Sequence, residues 1–516
     1  MSRRAFFFIL IAACVLAMFA AVIATPTLSF DDLLIAKEVP QFLTADGWAK
    51  TAWRFLSMAD VGQTELRTYG LTRVIQLVTV SWFGASPALT MAFVITVHSA
   101  SGLLVYRLLT RAIGDNVSSA LLAIAWVASP AVIPTIRTEH HWLYLITPYY
   151  ALIGWLILNN TRRHSVLRFC AGSILLTCAW YLGEAPIFPL VLVCALWVLT
   201  SRYWKSAIYI GGQAAVSLSL LGAYITYQLI FINQPNQPHR FTSKGFSIHA
   251  FGLFFKTLWE NAKGIVGLPY IETDIGRQIS SLHVADRWQV WALFAILLAV
   301  WFSAKRNDTP RSKLQLSIPL ISSIWVMWIG SLGVYFLLTL FQATAFPMRY
   351  TTAFFLFTPI ALALGVSALS RDLLVSRSAA AVAACFAVAF STVLTLRYEY
   401  KINEPNRILL AKMKGLGLIV YYPKEPGFVK GEVPNGTYLG VVPITSPGYG
   451  DPKKSFWTLS PMLDLYAGAA VGSECRFTQD GKVELRQGQD VTGIRPQNKI
   501  VIVGSEKSLA QICDTQ

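Results

Sequence analysis

Two adjacent carboxylates, Asp31 and Asp32, stand just beyond an apolar stretch that ends at Ala24, among the apolar side chains of Leu28, Phe30 and Leu33. Partial desolvation there raises a carboxylate's basicity, and a nearby cation steers it, which suits a general base taking a proton from an acceptor hydroxyl. The same pair would equally serve to cap an amphipathic surface helix starting near Leu33. Arg349, in Phe346-Pro347-Met348-Arg349-Tyr350, opens a late apolar run. Its fork of donors matches phosphate oxygens and keeps its charge, although an arginine at a helix end also acts as an interfacial anchor. Arg240 and Lys244, in a long polar connection, could join it on a phosphate.

Three further places carry polar groups between apolar runs. In Arg137-Thr138-Glu139-His140-His141-Trp142, adjacent histidines point different ways on a helix and make a poor metal pair. Glu139 is the better candidate there for binding an acceptor, with His140 beside it in a cavity. Glu184, in Gly183-Glu184-Ala185-Pro186, either lines that cavity or stabilises a tight turn. Arg67 precedes Leu71 to Phe83, which is apolar but too short to span. That segment is read as an interfacial helix, serving as a platform or as a cavity wall.

The elements that must position these groups are membrane helices. Of the 516 residues, 54% are hydrophobic and 14% charged, with mean hydropathy +0.51. The apolar residues fall into runs of about 17 to 25, the length that crosses a hydrocarbon core. Candidate spans are 5 to 25, 88 to 106, 117 to 135, 143 to 159, 166 to 182, 186 to 201, 206 to 232, 288 to 303, 315 to 340, 350 to 368 and 378 to 396. The expected fold is an α-helical polytopic membrane protein of about eleven transmembrane helices, followed by a small α/β soluble C-terminal domain. Arg3/Arg4, Arg107/Arg111, Arg162/Arg163/Arg168, Arg202/Lys205, Lys305/Arg306/Arg311/Lys313 and Arg371/Arg377 fall on alternate connections, which the positive-inside rule makes cytoplasmic. The N-terminus is then inside, the C-terminus outside, and the protein sits in a bacterial inner membrane with its active site facing the periplasm. The N-terminal run resembles a signal peptide but is long enough to span, so it is read as an uncleaved helix.

The expected transmembrane domain covers 1 to 398, with outer loops at 26 to 87 and 233 to 287, and the periplasmic domain covers 399 to 516. In the latter, Gly417 to Tyr422 and Lys499 to Val503 read as strands, and Cys475 to Arg486 as a hairpin turning at Asp480-Gly481. An amphipathic helix is expected near Glu404 to Lys414. An oxidising compartment would allow a Cys475 to Cys513 disulfide, whereas Cys14, Cys170, Cys178, Cys194 and Cys385 lie in apolar runs as packing residues. The net charge of +16 is spread over short loops instead of gathered on one face, so no nucleic-acid partner is expected. Membrane lipids are the expected surroundings.

From Arg67 to Arg111 the order of motifs is more specific. Arg67-Thr68-Tyr69-Gly70-Leu71-Thr72 leads to Trp82-Phe83-Gly84-Ala85-Ser86-Pro87, then to an apolar span with His98 that ends Leu103-Leu104-Val105-Tyr106-Arg107-Leu108-Leu109. Glu139, Gly183-Glu184-Ala185 and Arg349-Tyr350 follow in order. The arrangement resembles the GT-C class of polyprenol-dependent membrane glycosyltransferases, which includes protein O-mannosyltransferases and the aminoarabinose transferase. The proline of the family's arginine-proline-leucine motif is absent, since Leu71 follows Gly70. The resemblance implies Asp31 or Asp32 as base, Arg349 on the donor phosphate, a polyprenyl-phosphate-linked sugar as donor, and a periplasmic glycan or lipid as acceptor. Some members of the class use a divalent metal, which Asp31 with Asp32 would recruit; the residues alone require no cofactor. Two other functions compete: an O-antigen polymerase or ligase, and a non-enzymatic transporter of lipid-linked sugars.

Overall fold

A computed structural model describes residues 3–24, 30–57, 70–83, 87–132, 154, 165–182, 204–227, 230, 249–265, 286–305, 314–342, 352–398 and six short strands between 418 and 504. The helices among them are α1 (Arg3–Ala24), α2 (Phe30–Leu56), α3 (Gly70–Phe83), α4 (Pro87–Ile113), α5 (Asn116–Val127), α6 (Val166–Leu182), α7 (Trp204–Tyr227), α8 (His249–Ile265), α9 (Trp288–Lys305), α10 (Ile318–Gln342), α11 (Thr352–Ser370) and α12 (Leu373–Tyr398). Three are long and apolar enough to cross a membrane: Arg3–Ala24, Ala88–Ile113 and Leu373–Arg397. Nine of the expected spans overlap a helix, while 186 to 201 and all of 143 to 159 but Gly154 lie outside the described residues.

One apolar core joins α1, α4, α5, α6, α7, α9, α10, α11 and α12, through Phe7, Met91, Trp126, Trp301, Phe357 and Cys385 among others. Side-chain contacts give the helix directions. Phe7 lies 5.1 Å from Trp301, and Arg3 Nη1 donates to the Ser303 carbonyl, so α1 runs antiparallel to α9. Ser217 donates to the Ser173 carbonyl and Tyr209 to that of Ser165, so α6 and α7 run parallel. This alternation is the one the spacing of basic clusters requires. Hydrogen bonds also bring four of those clusters to one end of the bundle: besides the Arg3 bond, the Ser317 amide donates to the Ala112 carbonyl and the Leu314 amide to that of Arg371.

The two tight hairpins at that end are built alike. Gly114 (φ 71) ends α4 in the left-handed region, where its amide donates to the Thr110 carbonyl, and Asp115 then caps α5 by accepting from the Ser118 amide at 2.8 Å. Between α11 and α12, Arg371 (φ 50) takes the same region and Asp372 accepts from the Leu374 amide at 2.7 Å. Arg377 then reaches back across the bundle, its Nη2 donating to Asp115 Oδ1 at 2.8 Å and its Nε to Oδ2 at 3.2 Å. Arg377 is therefore half of a largely buried ion pair as well as one of the basic residues at that end.

The expected span of 117 to 135 needs correction. α5 stops at Val127, and residues 128 to 132 form a buried turn. Pro130 has no N–H to continue the helix and turns Ser129 away from helical geometry. The carbonyls freed there are met by neighbours: His98 Nε2 donates to Val127 O at 3.1 Å, and Ser391 Oγ donates to Ala128 O at 2.6 Å.

The strands β1 (Leu418–Tyr421), β2 (Phe428–Gly431), β3 (Tyr438–Pro443), β4 (Cys475–Phe477), β5 (Val483–Arg486) and β6 (Lys499–Gly504) form one mixed sheet ordered β2-β5-β4-β1-β6-β3. The expected hairpin is present, with Cys475 opposite Leu485 and Phe477 opposite Val483. β1 and β3 both pair β6 in parallel. Glu404 to Lys414 and Cys513 lie outside the described residues.

Candidate active site

Asp31 and Asp32 fall in the opening turn of α2, which begins at Phe30, three residues before the expected start. Of the other candidates, Arg67, Glu139, His140, Glu184, Arg240, Lys244 and Arg349 lie outside the described residues. Cys475 opens β4. Among the described residues no group of three metal-ligating side chains is present.

What the structure adds is the frame under the acid pair. The segment read as an outer loop holds α2 and α3 packed side by side on a small core of Val39, Phe55 and Leu77. α3 is inside out. Its buried face carries Thr72, Arg73, Gln76 and Thr79, all at most 8% exposed, whereas Trp82 is 76% exposed. A helix whose polar side faces protein and whose aromatic end faces outward suits a lipid-exposed wall around a polar interior. α3 packs against α2, α4 and α6, so that polar face lies at their junction.

Arg73 is placed over the Phe55 ring at 5.0 Å, a cation–ring contact that offsets part of the cost of burying a guanidinium. Phe55 meets Phe42 edge to face at 5.8 Å, and Arg54 lies over Phe42 at 4.4 Å. Arg54, Phe42, Phe55 and Arg73 thus form a continuous chain of contacts, two cations flanking an edge-to-face ring pair, that runs from α2 across to α3. Asp46 accepts from Lys50 at 2.6 Å and Arg54 at 3.4 Å; the hydrogen bond from Lys50 leads in holding its carboxyl below the usual value, despite some desolvation. Both bonds favour the charged form of Asp46.

Close packing fixes the joint between the two helices. At Gly70 an added Cβ would run into the Leu56 carbonyl oxygen, which accepts a hydrogen bond from Tyr224 of α7 at 3.0 Å. Gly70→Ala is therefore expected to destabilise this joint by about 1 to 3 kcal/mol through overpacking. Faster hydrogen exchange across residues 53 to 57 and 70 to 75 would register it, and exchange unchanged from wild type would count against the joint. Arg73 falls within the segment read as an interfacial helix, and its signal was the spacing Thr72, Arg73, Gln76, Thr79, a helical stripe of polar residues within an apolar segment.

No protein-family model matches the chain, and no curated protein sequence matches it. Two crystal structures of ArnT from Cupriavidus metallidurans are similar to it. The one bound to undecaprenyl phosphate is 12% identical with a TM-score of 0.42, covering 81% of this chain and 82% of that one. The apo structure is 13% identical with a TM-score of 0.38, covering 94% and 98%. At these scores the likeness gives no correspondence between residues.

Proposed function

We propose that this integral membrane protein is a glycosyltransferase that moves a sugar from a polyprenyl-phosphate donor to a glycan, lipid or protein acceptor on the periplasmic face. The observation that carries the reading is the place of Asp31 and Asp32: they open a helix directly after the first apolar span, on a frame whose second helix turns a polar, arginine-bearing face inward. In the proposed reaction one of the two carboxylates takes the acceptor's hydroxyl proton as its oxygen attacks the anomeric carbon. The bond to the phosphate oxygen breaks, and the polyprenyl phosphate leaves with that electron pair, giving inversion at the sugar. Arg349, with Arg240 and Lys244, is proposed to take the growing charge on the phosphate, and Glu139, His140, Glu184 and Arg67 to line the acceptor side. A divalent metal, if one is used, would bind at Asp31 and Asp32.

Two functions are separated from this one by proteoliposomes carrying a radiolabelled polyprenyl-phosphate sugar in the leaflet that faces the long loops. Transfer to an added acceptor with no movement of donor between leaflets is the expected result. Movement without a glycosylated product would replace the proposal with a transporter. Joining of whole lipid-linked oligosaccharides, with no use of a monosaccharide donor, would replace it with a polymerase or ligase.

A further inference from the structure

Gly47 divides α2 into two arms, one carrying Asp31 and Asp32 and the other running to Leu56. Its backbone at φ 72 and ψ 171 lies in a region essentially reserved for glycine, while an added Cβ would meet nothing within 4 Å. The glycine therefore serves conformation, not space. A break of this kind frees the two arms to change their mutual angle unless something spans it.

Several contacts do span it. Asp46, the last residue of the first arm, holds Lys50 and Arg54 of the second. Arg54 also lies over Phe42 of the first arm, and Phe42 meets Phe55 of the second edge to face. Thr51 Oγ1 donates to the Gly47 carbonyl at 2.8 Å, satisfying an acceptor at the bend. Phe55 is in turn covered by Arg73, so the clasp is anchored to α3 as well as closed across α2. Lys50 is largely exposed, whereas Arg54 is the group with a partner of each kind on the other arm, a carboxylate and a ring face.

We infer that Asp46 and Arg54 are positioning residues, clasping the bend at Gly47 so that the arm bearing Asp31 and Asp32 is held at one angle to α3. The catalytic meaning of that arm rests on the glycosyltransferase proposal; the clasp itself does not. A general base works only within hydrogen-bond reach of its proton, and a displacement of about 1 Å can cost a hundredfold in rate. Arg54→Lys keeps the charge but loses the planar fork that pairs the carboxylate while covering the ring.

The test uses the full chain in lipid nanodiscs, with hydrogen exchange read by segment and transfer measured from a polyprenyl-phosphate sugar. Arg54→Ala is expected to speed exchange of residues 30 to 46 by about tenfold, leaving residues 373 to 398 unchanged. The transfer kcat should fall by about ten- to a hundredfold with the donor KM unchanged. Arg54→Lys should lie between, and the reversed pair Asp46→Arg with Arg54→Asp should recover part of both. Unchanged exchange in residues 30 to 46, or an equal rise throughout the chain, would overturn the clasp. A loosened arm with undiminished kcat would overturn its positioning role. If the wild type transfers no sugar while Arg54→Ala still loosens residues 30 to 46, the clasp stands and the glycosyltransferase proposal falls.

Discussion

Replacing Asp31 and Asp32 singly by asparagine is expected to cost one of the two variants about 10²- to 10⁴-fold in the rate of sugar transfer, the usual contribution of a positioned general base. Asparagine is the informative replacement because it keeps the size and polarity of the side chain while removing the carboxylate's charge and basicity. Both residues fall in the first turn of α2, where a carboxylate also interacts with the helix dipole, a term worth about 0.3 to 1 kcal/mol. Were that their whole purpose, each asparagine variant would fold with a small loss of stability and keep its activity. A base loses its proton acceptor and with it the reaction. Folded variants with full activity in both cases would remove the carboxylate from the mechanism.

Arg377→Met is expected to destabilise the bundle by about 3 kcal/mol, because it leaves the buried Asp115 carboxylate without its cation, and Asp115→Asn by less, because the Arg377 it releases is partly exposed. The Asp115 and Arg377 side chains are 9% and 17% exposed, and two hydrogen bonds join them. Asparagine should still cap α5, so its cost isolates the ion pair from the cap. The double variant should be much less damaged than the sum of the singles, since it buries neither charge alone. Additive losses in a thermal ramp followed by size-exclusion detection would show that the two groups act separately.

The same pair has a pH signature. Burial pushes the Asp115 carboxyl up, but hydrogen bonds from Arg377 and from the amide and hydroxyl of Ser118 outweigh it, so the group titrates below its ordinary 3.8. A carboxyl with a depressed folded-state value contributes stability that is complete above its unfolded value and lost as pH falls through the folded one. The Asp115 contribution is therefore constant at neutral pH and lost only in strong acid. Asp115→Asn should flatten that acidic part of the stability profile.

Much of the helical frame was legible because the apolar runs have the length of a membrane crossing: the run read as 166 to 182 is α6, and that read as 5 to 25 is α1. The early end of α5 was masked by composition. Val127-Ala128-Ser129-Pro130-Ala131-Val132 remains apolar enough to continue a span, and only Pro130 marks the break. α2 was read only as a helix starting near Leu33, since Pro40, Gly47 and a mixed charge pattern interrupt it. Its two arms are held by contacts that form after the chain bends. The Asp115 to Arg377 pair joins residues 262 apart, beyond any local pattern, and Arg377 fitted the topological count of basic residues equally well. β2 and β3 find their places through distant partners, β5 and β6, whereas the β4 to β5 hairpin announced itself through Asp480-Gly481.

For the acid pair, the sequence supplied residue types and order, while the structure supplied the bend, the clasp and the inward polar face of α3. Asp31 and Asp32 gain a positioning frame from α2 that neither their spacing nor their charge reveals. Arg73 and Gln76 enter the same frame through the buried stripe on α3.

The most direct test of the glycosyltransferase proposal is to incubate the purified full chain in proteoliposomes with a polyprenyl-phosphate sugar and an extract of periplasmic acceptors, and to quantify free polyprenyl phosphate together with labelled product. The account predicts that both appear in equal amounts with the wild type, and that at least one of Asp31→Asn and Asp32→Asn abolishes both. Intact donor and unlabelled acceptor after incubation with folded wild-type protein, across a panel of donor sugars, would contradict it.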